Sequence, residues 1–158
     1  MRPLGDLFQD LYQIAYVTAD VDEAIASFDV LLGLAWRKDR AEVDGMIVDG
    51  TRHDGWVVDF ALADAGTTNF ELFQPVSDGP LALYGPSIRP GTPYTFHHLA
   101  FRIPDFDEAS AILHENGKTW RMRGENAGRN RFGYVDMTKE LGYYVELVDY
   151  EMSDGGHS

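Results

Sequence analysis

The segment Tyr12-Gln13-Ile14-Ala15-Tyr16-Val17-Thr18-Ala19-Asp20-Val21-Asp22-Glu23-Ala24 returns as His97-His98-Leu99-Ala100-Phe101-Arg102-Ile103-Pro104-Asp105-Phe106-Asp107-Glu108-Ala109, at a constant offset of 85 positions (Gln13 to His98, Asp20 to Asp105). The inner alanine, both aspartates, the glutamate and the final alanine are identical. A second pair, Asn69-Phe70-Glu71-Leu72-Phe73 and Tyr144-Val145-Glu146-Leu147-Val148, recurs at an offset of 75. Self-similarity of this kind fixes architecture before local propensity is weighed, because each repeat is one supersecondary unit stacked on its copy. It also nominates four polar residues at equivalent points: Gln13, Glu71, His98 and Glu146.

A chain of 158 residues makes one domain or two tightly joined half-domains. With 44% hydrophobic and 13% aromatic residues it can build a real core. No run approaches the roughly 18 apolar residues of a membrane span, and Met1-Arg2-Pro3-Leu4-Gly5-Asp6 lacks the apolar stretch of a secretory signal. The absence of cysteine excludes disulfides and thiolate metal sites and fits a reducing cytoplasm. A net charge of −13 argues against nucleic acid as partner. Lys118, Arg121, Arg123, Arg129 and Arg131 form a basic cluster against Glu125 alone. We read it as a solvated strand and loop in preference to an anion site.

Residues 12–18 alternate as a strand. Asp20 then caps a helix, with Glu23 placed for a capping box. Val21, Ala24, Ile25, Phe28 and Leu32 mark its buried face, and Gly33 stops it. Strands are expected near 34–40, 55–63 and 68–74, which makes the first module (11–75) β-α-β-β-β. Five of the seven prolines fall between Pro75 and Pro93. Such a stretch cannot run inside a sheet. It is the expected linker (76–95), with one helical turn near Leu81-Ala82-Leu83. The second module (96–150) repeats the order. It has a strand at 97–103, a helix capped by Asp105 with Phe106, Ala109, Ile112 and Leu113 buried and Asn116-Gly117 at its end, and strands near 118–123, 131–137 and 143–150. Lys139-Glu140-Leu141-Gly142 turns the last hairpin, and 151–158 reads as a loose tail. The fold class is α+β: two tandem βαβββ modules forming a curled mixed-sheet cleft within one domain, 1–158.

Side chains alternate across a strand. If Leu99, Phe101 and Ile103 pack under a helix, His98, Ala100 and Arg102 face away from it. The same logic sends Gln13 and Ala15, Glu71 and Phe73, and Tyr144 and Glu146 to the face away from the helices. His97 then belongs to the opposite face, in a structural role. His53, His114 and His157 have no supporting context. Modules paired by a pseudo-twofold would bring one amide, one imidazole and two carboxylates into one cleft beside small Ala15 and Ala100. Inward carboxylates are costly unless paired or ligated, and a divalent cation removes that cost. One nitrogen with several oxygens suits Zn²⁺, Co²⁺, Ni²⁺, Mn²⁺ or Mg²⁺. Trp56, Phe73, Tyr134 and Tyr144 are core residues by type; lining the cleft, they would suit a bulky or aromatic ligand.

The paired openings and the closures Phe70-Glu71-Leu72-Phe73-Gln74-Pro75 and Glu140-Leu141-Gly142-Tyr143-Tyr144-Val145-Glu146-Leu147 resemble the vicinal oxygen chelate superfamily (glyoxalase, bleomycin resistance and dioxygenase proteins), from Tyr12 to Tyr150. His97-His98-Leu99-Ala100-Phe101 and the turn before Glu146 are similar to methylmalonyl-CoA epimerase-like members. The set Gln13, Glu71, His98 and Glu146 is similar to the ligand set of eukaryotic-type glyoxalase I, a zinc enzyme, although no glutathione-binding motif is legible. Ring-cleaving dioxygenases of the superfamily hold Fe²⁺ with two histidines and a glutamate, and Gln13 departs from that pattern.

The resemblance implies a metal-dependent isomerase, epimerase or related lyase. A dication, zinc first, held by Gln13, Glu71, His98 and Glu146 would chelate a carbonyl substrate, aromatic or CoA-linked. Proton transfer would pass through a metal-chelated enediolate. By the same resemblance, Glu146 would be the main base and Glu71 its partner. The resemblance also implies a cytoplasmic homodimer. The rival readings are a metal-free drug-sequestering protein, which would have no reason to keep inward carboxylates and an imidazole, and an Fe²⁺ dioxygenase.

Overall fold

The computed structural model describes residues 1–77, 81–84, 88–126 and 130–150. The expected tail, His157 and Arg129 lie outside these residues, as does part of the expected linker. After a 3₁₀ turn at Leu4–Leu7 come β1 (Leu11–Val17), α1 (Val21–Phe28), β2 (Trp36–Val43), β3 (Met46–Val48), β4 (Thr51–His53), β5 (Trp56–Ala65) and β6 (Thr68–Pro75). A short α2 (Leu81–Tyr84) precedes β7 (Thr95–Ile103), α3 (Phe106–Glu115), β8 (Met122–Asn126), β9 (Asn130–Met137) and β10 (Tyr143–Tyr150).

All strands belong to one curled mixed sheet, in the order β2-β5-β6-β1-β7-β10-β9-β8-β3-β4. Each half runs from its opening strand through its closing strand to its edge, and the halves meet along the antiparallel β1–β7 seam. Within each half the first and last strands are parallel, β1 with β6 and β7 with β10. A parallel pair needs a crossover, and the crossover helix lies on one face of the sheet. The β3–β4 hairpin is not legible in the repeat. It leaves the first half between β2 and β5 and pairs with β8 of the second, at the far end of the sheet.

Asp20 caps α1 by accepting from the amides of Asp22 and Glu23, both at 3.0 Å. The reciprocal arm of a capping box is absent here, since the Asp20 amide donates to Thr18 Oγ1. Asp105 caps α3 through the Glu108 amide at 2.9 Å. α1 ends at Phe28, one turn before Leu32, which is exposed. β8 begins at Met122, four residues later than expected, because Lys118 and Arg121 are held by loop hydrogen bonds to Leu113 and Tyr134.

The helix-facing side splits into two apolar clusters. One joins Val21 and Ala24 to Ala61 and Leu72, and the other joins Phe106, Ala109, Ile112 and Leu113 to Val145 and Leu147. The largest cluster lies on the concave face and draws on both halves: Ala15, Trp56, Phe73, Tyr84, Ala100, Met122, Phe132 and Tyr134. Three members of the basic cluster are taken up in ion pairs. Lys118 meets Glu140, Arg121 meets Asp49 and Asp136, and Arg131 meets Asp107 and Asp149.

Candidate active site

Strand register sets the four nominated residues in two adjacent rows across the middle of the sheet. One row reads Glu71, Ala15, His98, Tyr144 along β6-β1-β7-β10, and the next reads Asn69, Gln13, Ala100, Glu146. The pseudo-twofold exchanges the rows. Directly opposed side chains stand about 5 Å apart and diagonal ones about 7–8 Å. Ala15 and Ala100, both fully buried, leave room between the polar groups.

Gln13, Glu71 and Glu146 line a cavity of about 310 Å³ in the concave face, together with Trp56, Phe73, Tyr134, Met122 and Phe132. His98 is fully buried and reaches the cavity wall through its contact with Glu146. His98 Nε2 lies 2.8 Å from Glu146 Oε2, yet it has no well-directed hydrogen bond. Gln13 Nε2 donates to Asn69 Oδ1 at 3.0 Å, a bond that uses the amide nitrogen and not the oxygen. The structure thus brings His98 and Glu146 into contact and sets Gln13 and Glu71 on the same wall. Among the described residues, no three histidine or acidic side chains have closed to coordinating geometry.

Burial shapes the electrostatics. It pushes the Glu71 carboxyl up to about 8, with the Glu146 charge adding to the effect. Burial likewise raises Glu146 to about 8 and holds the His98 imidazole down at about 3. The site therefore favours two protonated acids, which in water would be ionised at neutral pH, and a neutral imidazole. Either a proton or a metal cation satisfies an imidazole lone pair facing a carboxylate. The donor chemistry fits a divalent metal: a buried neutral nitrogen without a protein donor, two carboxylates and an amide oxygen.

His97 does not sit on the opposite face. Ala15 pairs with His98 and Tyr16 with Phe96, so His97 is the extra residue of a β-bulge. A bulge turns successive side chains to one side and re-aims them. His97 Nδ1 consequently lies 2.8 Å from His98 Nδ1, and His97 Nε2 lies 3.0 Å from the Leu83 carbonyl. The first half repeats the device. Leu11 pairs with Phe101 and Gln13 with Ala100, leaving Tyr12 extra, and Tyr12 and Gln13 both reach the cavity. Two cleft residues in succession at the same point of both repeats were the available signal. Strict alternation concealed it.

The aromatic wall is partly as expected. Trp56, Phe73 and Tyr134 line the cavity, whereas Tyr144 lies behind it, stacked on His97 at 4.9 Å. Tyr84, on the short helix between the halves, stacks on Trp56 and hydrogen-bonds to the Tyr134 hydroxyl at 3.2 Å. His53 is half-buried on β4 and His114 exposed on α3, both away from the cavity. A larger surface groove of about 510 Å³ runs between the N-terminal turn and α3. Its Arg2 is bound to Glu108 and Glu115.

Residues 12–134 match the model of the glyoxalase/bleomycin resistance protein/dioxygenase superfamily, and the chain belongs to that superfamily. It is similar in structure to a methylmalonyl-CoA epimerase at 25% identity, covering 92% of this chain and 97% of that one, with a TM-score of 0.56. The epimerase from Mycobacterium tuberculosis matches at 18% identity over 89% and 87% of the two chains, with a TM-score of 0.61. A Streptomyces coelicolor methylmalonyl-CoA epimerase in complex with 2-nitronate-propionyl-CoA matches at 18% identity over 90% and 98%, with a TM-score of 0.62. No curated protein matches the chain. No helix among the described residues is long and apolar enough to cross a membrane.

Proposed function

We propose that the chain is a metal-dependent isomerase or epimerase that moves a proton next to a carbonyl, in a cavity built from one chain. The observation that carries this reading is the pair of adjacent rows that put Gln13, Glu71, His98 and Glu146 on one concave wall, with His98 Nε2 2.8 Å from Glu146 Oε2. Those four residues would hold a dication, zinc first and Co²⁺, Ni²⁺, Mn²⁺ or Mg²⁺ as alternatives. When bound, it would polarise the substrate carbonyl and acidify the neighbouring C–H.

Glu146 takes the proton at a carboxylate oxygen, and Glu71, its twofold mate, returns one from the opposite side or supports the same transfer. A carboxylate is a weak base toward carbon acids, so the bound cation would have to supply most of the acidification. The apolar wall excludes bulk water and orients the ligand through Trp56, Phe73 and Tyr134. The cavity accommodates the reacting end of a small carbonyl compound, aromatic or CoA-linked. The protein is proposed to be a cytoplasmic homodimer, although the cavity itself is lined from one chain.

The test incubates metal-free and Zn²⁺- or Co²⁺-loaded protein in deuterium oxide with α-hydroxyketones and 2-methyl thioesters of coenzyme A. NMR then follows loss of the α-proton signal. Metal-dependent exchange is expected. Protein that is isolated without metal, takes up none, and binds aromatic ligands without exchange would favour the sequestering reading, to which the aromatic wall also lends itself.

A further inference from the structure

We infer that His97 is a positioning residue that fixes the tautomer of His98 and leaves its Nε2 as a lone pair beside Glu146. This deepens the proposed function and rests on it only for what Nε2 binds. The tautomer follows from contacts within the chain.

A backbone carbonyl can only accept. The 3.0 Å contact from Leu83 O to His97 Nε2 therefore places a hydrogen on that nitrogen. With one proton per neutral ring, His97 Nδ1 carries a lone pair. The atom 2.8 Å from it is His98 Nδ1, which must then be the donor. That leaves His98 Nε2 as a lone pair, 2.8 Å from Glu146 Oε2. Each ring thus has its tautomer set by the one behind it, and the chain of assignments begins at a main-chain atom that cannot reverse its role. No solvent competes, since His97 is 2% exposed and Leu83 1%. Tyr144 stacked on the His97 ring resists its rotation.

The β-bulge makes this possible. Without it His97 would face the helix side and could not meet His98. The relay also ties α2, in the segment joining the halves, to the candidate ligand. The other half orients Gln13 differently, through Asn69 Oδ1 on its amide nitrogen. Partners of this kind fix ligand orientation at metal sites, and losing one costs about 10–100-fold in metal affinity.

The test begins with long-range ¹H–¹⁵N NMR of the imidazoles in metal-free wild-type protein. His98 should show a protonated Nδ1 and a pyridine-like Nε2, and His97 the reverse. His97→Phe keeps an aromatic ring and removes the acceptor, so His98 should shift to a mixed or Nε2-protonated form. Zn²⁺ affinity by titration should then fall about 10–100-fold. His97→Gln, whose amide can accept from Nδ1–H and donate to Leu83 O, should restore much of both. A wild-type His98 protonated on Nε2, or an unchanged tautomer in His97→Phe, would overturn the inference. Should wild type show the inferred tautomers and yet bind no dication, the metal reading falls and the role of His97 stands.

Discussion

Gln13 pairs with Ala100 and His98 pairs with Ala15 across the β1–β7 seam. The two central polar residues are thus exchanged by the operation that exchanges the halves. Each has its own half's glutamate in the neighbouring row and a small alanine of the other half directly opposite. An amide and an imidazole occupy equivalent places, so the site is symmetric in position and asymmetric in chemistry.

Glu146→Gln separates the proposed base from the scaffold. Solvent deuterium uptake into substrate should fall about 10²–10⁴-fold. Thermal stability of the metal-free protein at pH 8 should rise, because the variant no longer shelters an acid from water. Retained exchange would remove Glu146 from the base role.

The metal-free protein should be most stable between about pH 4.5 and 6.5. Glu71 and Glu146 are raised from 4.5 to about 8, so the folded state holds their protons more tightly. The stability they contribute is complete below 4.5 and is lost as pH rises toward 8. His97 and His98 are lowered from 6.5 to about 3, so their contribution is complete above 6.5 and is lost as pH falls toward 3. The two effects oppose one another from 4.5 to 6.5. Above 6.5 the glutamates act alone, at about 1.4 kcal/mol per pH unit for each uncompensated proton. Urea midpoints at pH 3.5, 5.5 and 8 in chelator check this. A midpoint that rises from pH 5.5 to 8 contradicts it.

Adding Zn²⁺ or Co²⁺ should raise the melting temperature more at pH 8 than at pH 5.5, since the cation must displace the protons the acids retain at low pH. At 100 times the dissociation constant the stabilisation is about 2.7 kcal/mol. Chelator should reverse it. Equal shifts at both pH values, or none, would argue that the acids and the metal do not share a site.

Gly133→Ala tests the second half's outer packing. An added Cβ would stand 2.5 Å from Trp120 Cε3 and 2.7 Å from the Met122 carbonyl. Trp120 cannot retreat, being stacked on Phe106 at 4.4 Å. Overpacking of this kind costs about 1–3 kcal/mol, read as a lowered urea midpoint. An unchanged midpoint would show that the Trp120–Phe106 stack yields.

Much of this was legible in the residues, because repetition and alternation are properties of the chain alone. The helices announced themselves through Asp20 and Asp105, and the common face of Gln13, Glu71, His98 and Glu146 followed from period-two alternation. Three things were not legible. A bulge breaks the period by one residue, so strict alternation places His97 on the wrong face. Among the described residues the β3–β4 hairpin has no counterpart in the second half, and its partner, β8, lies over 70 positions further on. Long-range pairing of so short a segment leaves no periodic trace. Tyr84 was hidden for a related reason: a four-residue helix in a proline-rich stretch gives no sign of the wall it completes.

The β3–β4 hairpin has a consequence for how the molecule can be divided. By reaching over to β8 it acts as a clasp between the first half and the outer margin of the second. Separately expressed halves would each lack a strand the other owns, so cutting the chain between α2 and β7 would not release two self-sufficient modules. The duplication that produced two equal pieces has, through this one asymmetric loop, become a single indivisible enclosure.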